Sequence, residues 1–226
     1  MIDIKNIYEK EIERIINNKE NKVIFLVGSS KNANLNDKYC VINDIDLFII
    51  SNQEENQIRE LKNINNIEFD INYFSKEYAH QLIQDKEYFF INELKDAKVI
   101  YDCEQLSKDL IIQSLKKYEE GPECTDSHIN SIIIYENIIR LKNKEKYRKS
   151  EYEFLTNIYL KDIISEYFNI NKKWIPKDKK IFKYLNENDK YLLDLLEKVY
   201  ENYDYNRIED LYNYVFNKVN KNVILK

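Results

Sequence analysis

The spacing of apolar residues points to an α+β chain in two parts, a sheet-containing N-terminal domain over residues 1–120 and an all-α helical domain over residues 121–226. Strand-type segments are confined to the first half, between Lys22 and Tyr101. Helical periodicity dominates from Leu106 onward. Between the two, Gly121-Pro122 joins one of only two glycines to one of only two prolines, a pairing that punctuates a chain. At 226 residues, one domain with a smaller helical appendage is also the expectation from size.

Ile4, Ile7, Tyr8, Ile12, Ile15 and Ile16 recur at helical spacing, so the first twenty residues read as an amphipathic helix that covers one face of a sheet. Lys22 to Val27 is a continuous β-branched and aromatic run that ends at Gly28, as a buried strand followed by a turn would. A short helix is expected from about Ser30 to Asn36. From Asp44 to Ser51, Ile45, Leu47 and Ile49 share one strand face while Asp44, Asp46 and Phe48 share the other. Asn66 to Phe74 alternates likewise, with Ile67, Phe69, Ile71 and Tyr73 opposite Glu68, Asp70 and Asn72.

Ser75 is the expected N-cap of a helix running through His80 and Ile83. A second helix is predicted over Glu87 to Ala97, a short strand over Lys98 to Tyr101, and a helix marked by Leu106, Leu110, Ile111 and Leu115. Beyond Gly121, an N-cap at Thr125 or Asp126 opens a bundle of four or five helices, patterned over Ile129 to Leu141, Tyr152 to Phe168, Tyr184 to Val199 and Ile208 to Val219.

Composition narrows the function classes. The formal net charge of -5 opposes the broad basic footprint that grips nucleic-acid backbones, so nucleic acid enters only as an acceptor of a transferred group and a template-tracking polymerase is disfavoured. No apolar run approaches the roughly 20 residues that cross a bilayer, and the start lacks the pattern of a secretory signal, so the expected location is cytoplasmic. Cys40, Cys103 and Cys124 show no C-x-x-C spacing and read as free thiols rather than a zinc site or disulfide framework. His80 and His128 lie far apart without a metal-binding run and read as helix-surface side chains.

Three carboxylates remain, Asp44, Asp46 and Asp70, facing one way on strands beyond a glycine turn. Hard divalent cations prefer such oxygen ligands, and a pair of them can stabilise the attacking and leaving oxygens at a phosphorus centre. In the order FLVGSS, NDIDLFII and IEFDINYF, the stretch from about Val23 to Tyr73 resembles the DNA polymerase β-like nucleotidyltransferase superfamily, in which a strand ends in Gly-Ser, an Asp-x-Asp strand follows and a single Asp lies on a later strand. The resemblance implies a mixed-sheet nucleotidyltransferase domain. It implies that Asp44 and Asp46 hold two Mg2+ ions, with Mn2+ as an alternative, and that Asp70 ligates the catalytic metal and helps deprotonate the acceptor hydroxyl. Gly28, Ser29 and Ser30 would cradle the β and γ phosphates of ATP or another nucleoside triphosphate, as backbone N–H groups at a helix start can.

The chain departs from the family pattern where Lys31-Asn32-Ala33-Asn34 replaces a second glycine with Thr or Ser, and in a longer insert before Asp44. A loop that fails to close on a triphosphate would leave a catalytically degenerate binding module, such as an antitoxin-type interaction partner. The two-part layout looks like that of antibiotic nucleotidyltransferases, which implies an acceptor hydroxyl on an aminoglycoside-like molecule, with a protein or RNA as the other acceptors. On the helical side Glu136, among Ile132, Ile133 and Ile139, is the candidate acceptor-side residue for proton abstraction or cation binding, against the plainer reading of an i,i+4 ion pair with Arg140. The acids around Gly121 and the lysines around Trp174 read as solvated surface.

Overall fold

The structure, a computed structural model, describes residues 4–33, 42, 44–53 and 55–220. The chain divides into two compact units, Met1–Glu120 and Gly121–Lys226. It is α+β: a mixed five-stranded sheet with flanking helices, followed by an all-α region.

In the first unit the strands are β1 (Asn21–Val27), β2 (Asp44–Ser51), β3 (Gln57–Ile64), β4 (Ile67–Ser75) and β5 (Lys98–Asp102), arranged in the order β3-β4-β2-β1-β5. β2 and β4 run parallel, and the other neighbours run antiparallel. β1 is covered on both faces, from Val23 to Val27, which is why it reads as an uninterrupted apolar run. α1 (Ile4–Ile16) lays Ile12 and Ile15 on the face carrying Ile24, Leu26, Ile45, Leu47, Ile49, Ile67, Phe69 and Ile71. Burying each such aliphatic side chain contributes about 1.5–3 kcal/mol, and this layer holds the helix against the sheet.

The opposite face carries α2 (Lys76–Gln84), α3 (Tyr88–Leu94) and α4 (Ser107–Glu119). Ser75 caps α2 by accepting the N–H of Tyr78 at 3.2 Å. Asp102 accepts N–H groups of Glu104, Leu106 and Ser107 at the start of α4. Although burial pushes its carboxyl upward, these hydrogen bonds hold it below the usual carboxylate range. Phe48, Phe74 and Phe90 form an aromatic triangle with centroids 4.9–5.5 Å apart, and this pins α3 to the sheet.

Three local departures from the sequence reading stand out. β3 is a strand where none was expected; Asn65 and Asn66 both take positive φ, the pattern of a two-residue hairpin turn, and return the chain directly into β4. The helix expected over Glu87 to Ala97 ends at Leu94. Of the helix expected from Ser30 to Asn36, only a 3-10 turn over Ser30–Asn32 is present, and residues 34–36 lie outside the described residues, as does Cys40.

The second unit contains α5 (Ser127–Ile138), α6 (Lys149–Ile170), α7 (Ile181–Asn188), α8 (Lys190–Asn202) and α9 (Tyr205–Asn220). Its core includes Ile138, Tyr152, Ile163, Phe168, Leu192, Leu196, Leu211 and Phe216. Asp126 caps α5 by accepting the N–H groups of His128 and Ile129. The hydroxyls of buried Tyr152 and Tyr212 donate to the carbonyls of Leu141 and Ser131, so their polar ends are satisfied inside the bundle. The single helix expected over Tyr184 to Val199 is two, divided at Asp189, whose carboxylate accepts the N–H of Leu192 at 3.1 Å. Among the described residues no helix is long and apolar enough to cross a membrane.

Candidate active site

Antiparallel pairing of β1 with β2, and parallel pairing of β2 with β4, brings the end of β1 beside the starts of the other two strands. Val27 pairs with Asp46, and Asp46 pairs with Asp70. Two residues along, Asp44 pairs with Glu68. Neighbouring strands lie about 4.8 Å apart, and paired residues point to the same face, so Asp46 and Asp70 stand side by side with Asp44 and Glu68 next to them. Gly28 follows Val27 immediately and turns with φ +69°, a conformation that favours glycine.

Gly28 is required for space as well as for its backbone angle. The carboxylate of Asp46 lies against its Cα, and a β-carbon on residue 28 would come within 2.9 Å of the Asp46 Cγ and collide with Oδ2. The close approach places a half-buried carboxylate directly over the turn. Ser29 beside it is exposed, whereas Ser30 is buried with its hydroxyl donating to the Val27 carbonyl at 3.3 Å. That hydroxyl is committed to closing the turn.

Two further side chains complete the site, and neither was picked out from the sequence. The N–H of Gly28 donates to Oε2 of Glu93 at 3.0 Å. Glu93 lies one turn beyond Phe90, so the aromatic triangle that anchors α3 also positions this carboxylate. Lys31, in the segment that departs from the family pattern, pairs with Asp96 just past the same helix. The second side chain is Arg59 on the edge strand β3. Its Nε donates to Asp70 Oδ1 at 2.9 Å and its Nη2 to Asp70 Oδ2 at 2.7 Å, a two-point clamp. Asn72 donates to Oδ1 of the same carboxylate at 3.0 Å. The guanidinium pKa is raised foremost by Asp70, with smaller contributions from Glu68 and Asp46, which places all three acids within electrostatic reach of Arg59.

Like charges directly opposite on adjacent strands repel, so Asp46 beside Asp70 calls for a cation. Carboxylate oxygens without thiols or imidazoles are the donor type that Mg2+ or Mn2+ prefers, and strand register sets Asp46 beside Asp70 and Asp44 beside Glu68. The side chains do not stand as a closed ligand set: among the described residues no group of three or more His, Cys, Asp or Glu converges to hold a metal ion. Both oxygens of Asp70 are turned to Arg59 instead.

In the second unit Glu136 lies on the exposed side of α5, beside Ile132 and Ile133, which are exposed as well. Cys103 and Cys124 are exposed free thiols. Glu120 pairs with Lys86 and Lys117, so one acid of the cluster near Gly121 is part of a surface ion-pair network.

No family model matches the chain, and no curated protein matches it. Among solved structures it is similar to a nucleotidyltransferase-like protein from Exiguobacterium sibiricum 255-15, with 11% identity and a TM-score of 0.48 over 97% of this chain and 73% of that one.

Proposed function

We propose that the chain is a metal-dependent nucleotidyltransferase that moves a nucleoside monophosphate from a triphosphate, with ATP the first donor to test, onto a hydroxyl and releases pyrophosphate. The supporting observation is the register Val27–Asp46–Asp70, which lines up a glycine turn and two opposed carboxylates across three strands. Asp44, Asp46 and Asp70 would hold two Mg2+ or Mn2+ ions, whose chemistry is neutralisation of charge at the α-phosphorus and at the leaving pyrophosphate. Asp70 would take up the proton of the acceptor hydroxyl. Gly28 and Ser29 would offer backbone N–H groups to the β and γ phosphates, and most of the rate gain would come from alignment. Acceptors to test are aminoglycoside-like antibiotics, proteins and RNA ends, with Glu136 the helical-side residue to mutate first.

An α-labelled triphosphate incubated with Mg2+ and candidate acceptors tests this reading. Label should transfer with the wild type and stop with Asp44→Ala, while the circular dichroism spectrum stays unchanged. Transfer that persists in Asp44→Ala overturns the assignment.

A second reading is a binding module that keeps the carboxylates without turnover. It is favoured by the chain's own occupation of two key positions, Arg59 on Asp70 and Glu93 on the Gly28 N–H. Calorimetry of triphosphate binding with and without Mg2+, in the wild type and Asp46→Asn, separates the two. Metal-dependent binding lost in Asp46→Asn supports the enzyme, and metal-independent binding supports the module.

A further inference from the structure

Within the second unit, a cavity of about 260 Å³ opens between α6, α7, α8 and the segment that leads into α7. Leu160 and Ile164, one turn apart on α6, and Leu196 of α8 supply its buried lining. Phe182 and Tyr200 supply an exposed wall: their rings stack with centroids 6.4 Å apart and planes 28° apart. Partly exposed aromatic rings beside a buried apolar lining suit a ligand with an apolar body. A dry cavity of about 150 Å³ takes a benzene ring, so this one has room for a ring and a compact head group.

The charged part of the lining is one residue of each sign, Lys161 on α6 and Asp178 ahead of α7. Both are exposed, and among the described residues neither side chain forms a hydrogen bond or ion pair, with the other or elsewhere. Lys161 acts only through its charge on Asp162, its neighbour on the helix, whose carboxyl burial pushes up and Lys161 pulls down. Asn157 and Ser165, four residues to either side of Lys161, add an amide and a hydroxyl along the same side of α6. An uncharged apolar guest gains nothing from Lys161 or Asp178, and a guest with one charge is attracted by one and repelled by the other. A zwitterion answers both. We propose that this cavity binds a free α-amino acid with a large apolar side chain, aromatic by preference. Its carboxylate meets Lys161, its ammonium meets Asp178, and its side chain lies against Phe182 and Tyr200. A residue inside a peptide lacks both head charges and is not the guest.

Calorimetric titration of the full chain with L-phenylalanine tests the proposal without reference to metal, triphosphate or turnover. Two further probes each lack one charge: 3-phenylpropionate has no ammonium and phenethylamine has no carboxylate. L-Phenylalanine should bind, and each one-charge probe should bind about three- to tenfold more weakly. Lys161→Ala should weaken L-phenylalanine and 3-phenylpropionate by a similar factor without weakening phenethylamine. Asp178→Ala should do the reverse, weakening L-phenylalanine and phenethylamine but not 3-phenylpropionate. Phe182→Ala should weaken L-phenylalanine more than L-leucine, which has no ring to stack. No binding of L-phenylalanine by the wild type overturns the proposal. So do equal affinities for the three phenyl probes, or a weakening of all three by either charge variant, since each would leave an apolar cavity that does not read the head group. Lys161 and Asp178 are exposed, and urea unfolding of each variant checks that the fold is kept.

Discussion

The carboxylate of Asp46 occupies the space that a β-carbon on residue 28 would fill. Gly28→Ala therefore meets two penalties, a left-handed backbone angle and a collision with a half-buried charged group. The expected loss is about 2 kcal/mol or more of unfolding free energy, read as a lower urea midpoint with little change in slope. Adding Asp46→Ala to Gly28→Ala should recover the steric part and leave the backbone part. Equal midpoints for wild type and Gly28→Ala would show that the turn does not depend on this contact.

Glu93 holds the Gly28 amide, which the proposed function assigns to a phosphate oxygen. Two anions cannot share one N–H without repulsion, so on the proposed function a bound triphosphate turns Glu93 away. Glu93→Gln keeps the size of the side chain and removes the charge. It should tighten pyrophosphate binding severalfold by isothermal calorimetry, with the larger effect at low salt because screening weakens the repulsion. Weaker binding by Glu93→Gln would mean that Glu93 supports the turn in the bound state rather than blocking it.

The acid response of the first unit should include a contribution from Glu11, alongside that of Asp102. The Glu11 carboxylate is only 4% exposed, yet it receives Arg14 Nε at 2.8 Å and Lys62 Nζ at 2.7 Å, tying α1 to β3. Burial pushes its pKa up, but the hydrogen bonds and charges of Arg14 and Lys62 outweigh burial and hold it below its ordinary value of 4.5. A depressed folded-state pKa means that its stabilisation is fully present above pH 4.5 and is lost as pH falls through the folded value. Glu11→Gln should be less stable than wild type at pH 7 by about 1–2 kcal/mol, with the gap closing as pH falls from 4.5 toward 3. A gap of constant size across that range would remove Glu11 as a titrating group.

The sequence and the structure agree where side-chain chemistry and strand geometry repeat the same message. Along β2 and β4 aliphatic residues alternate with acids and amides, so both the strands and the shared face of Asp44, Asp46 and Asp70 can be read before any coordinates. β3 could not be read that way. As an edge strand it puts Ile58, Glu60, Lys62 and Ile64 on one face and Gln57, Arg59, Leu61 and Asn63 on the other, so neither face is uniformly apolar. Missing the strand meant missing Arg59. The Asn65-Asn66 turn was the available signal, since asparagine tolerates positive φ. Glu93 had no local signal, because its contact with Gly28 spans 65 residues and depends on where the Phe48–Phe74–Phe90 packing sets α3.

The division between α7 and α8 was hidden for a different reason: apolar spacing continues almost in phase across Asn188 and Asp189, so periodicity alone joins two helices into one. The polar run Asn186-Glu187-Asn188-Asp189 marks the break, because Asp189 is an N-cap. Asp189 also accepts the Tyr214 hydroxyl at 3.0 and 3.1 Å, linking the start of α8 to α9. Burial and this hydrogen bond to a carboxylate both raise the Tyr214 pKa. Asp189→Ala removes the cap and the inter-helix contact together and should cost about 1–2 kcal/mol by urea unfolding of the full chain. Asp189→Asn should cost less, since asparagine caps about as well as aspartate. Tyr214→Phe isolates the contact with α9, and in the Asp189→Ala background it should add almost nothing. If Asp189→Ala unfolds at the wild-type midpoint, the break between α7 and α8 is held by core packing of Leu185 and Leu192 rather than by its cap.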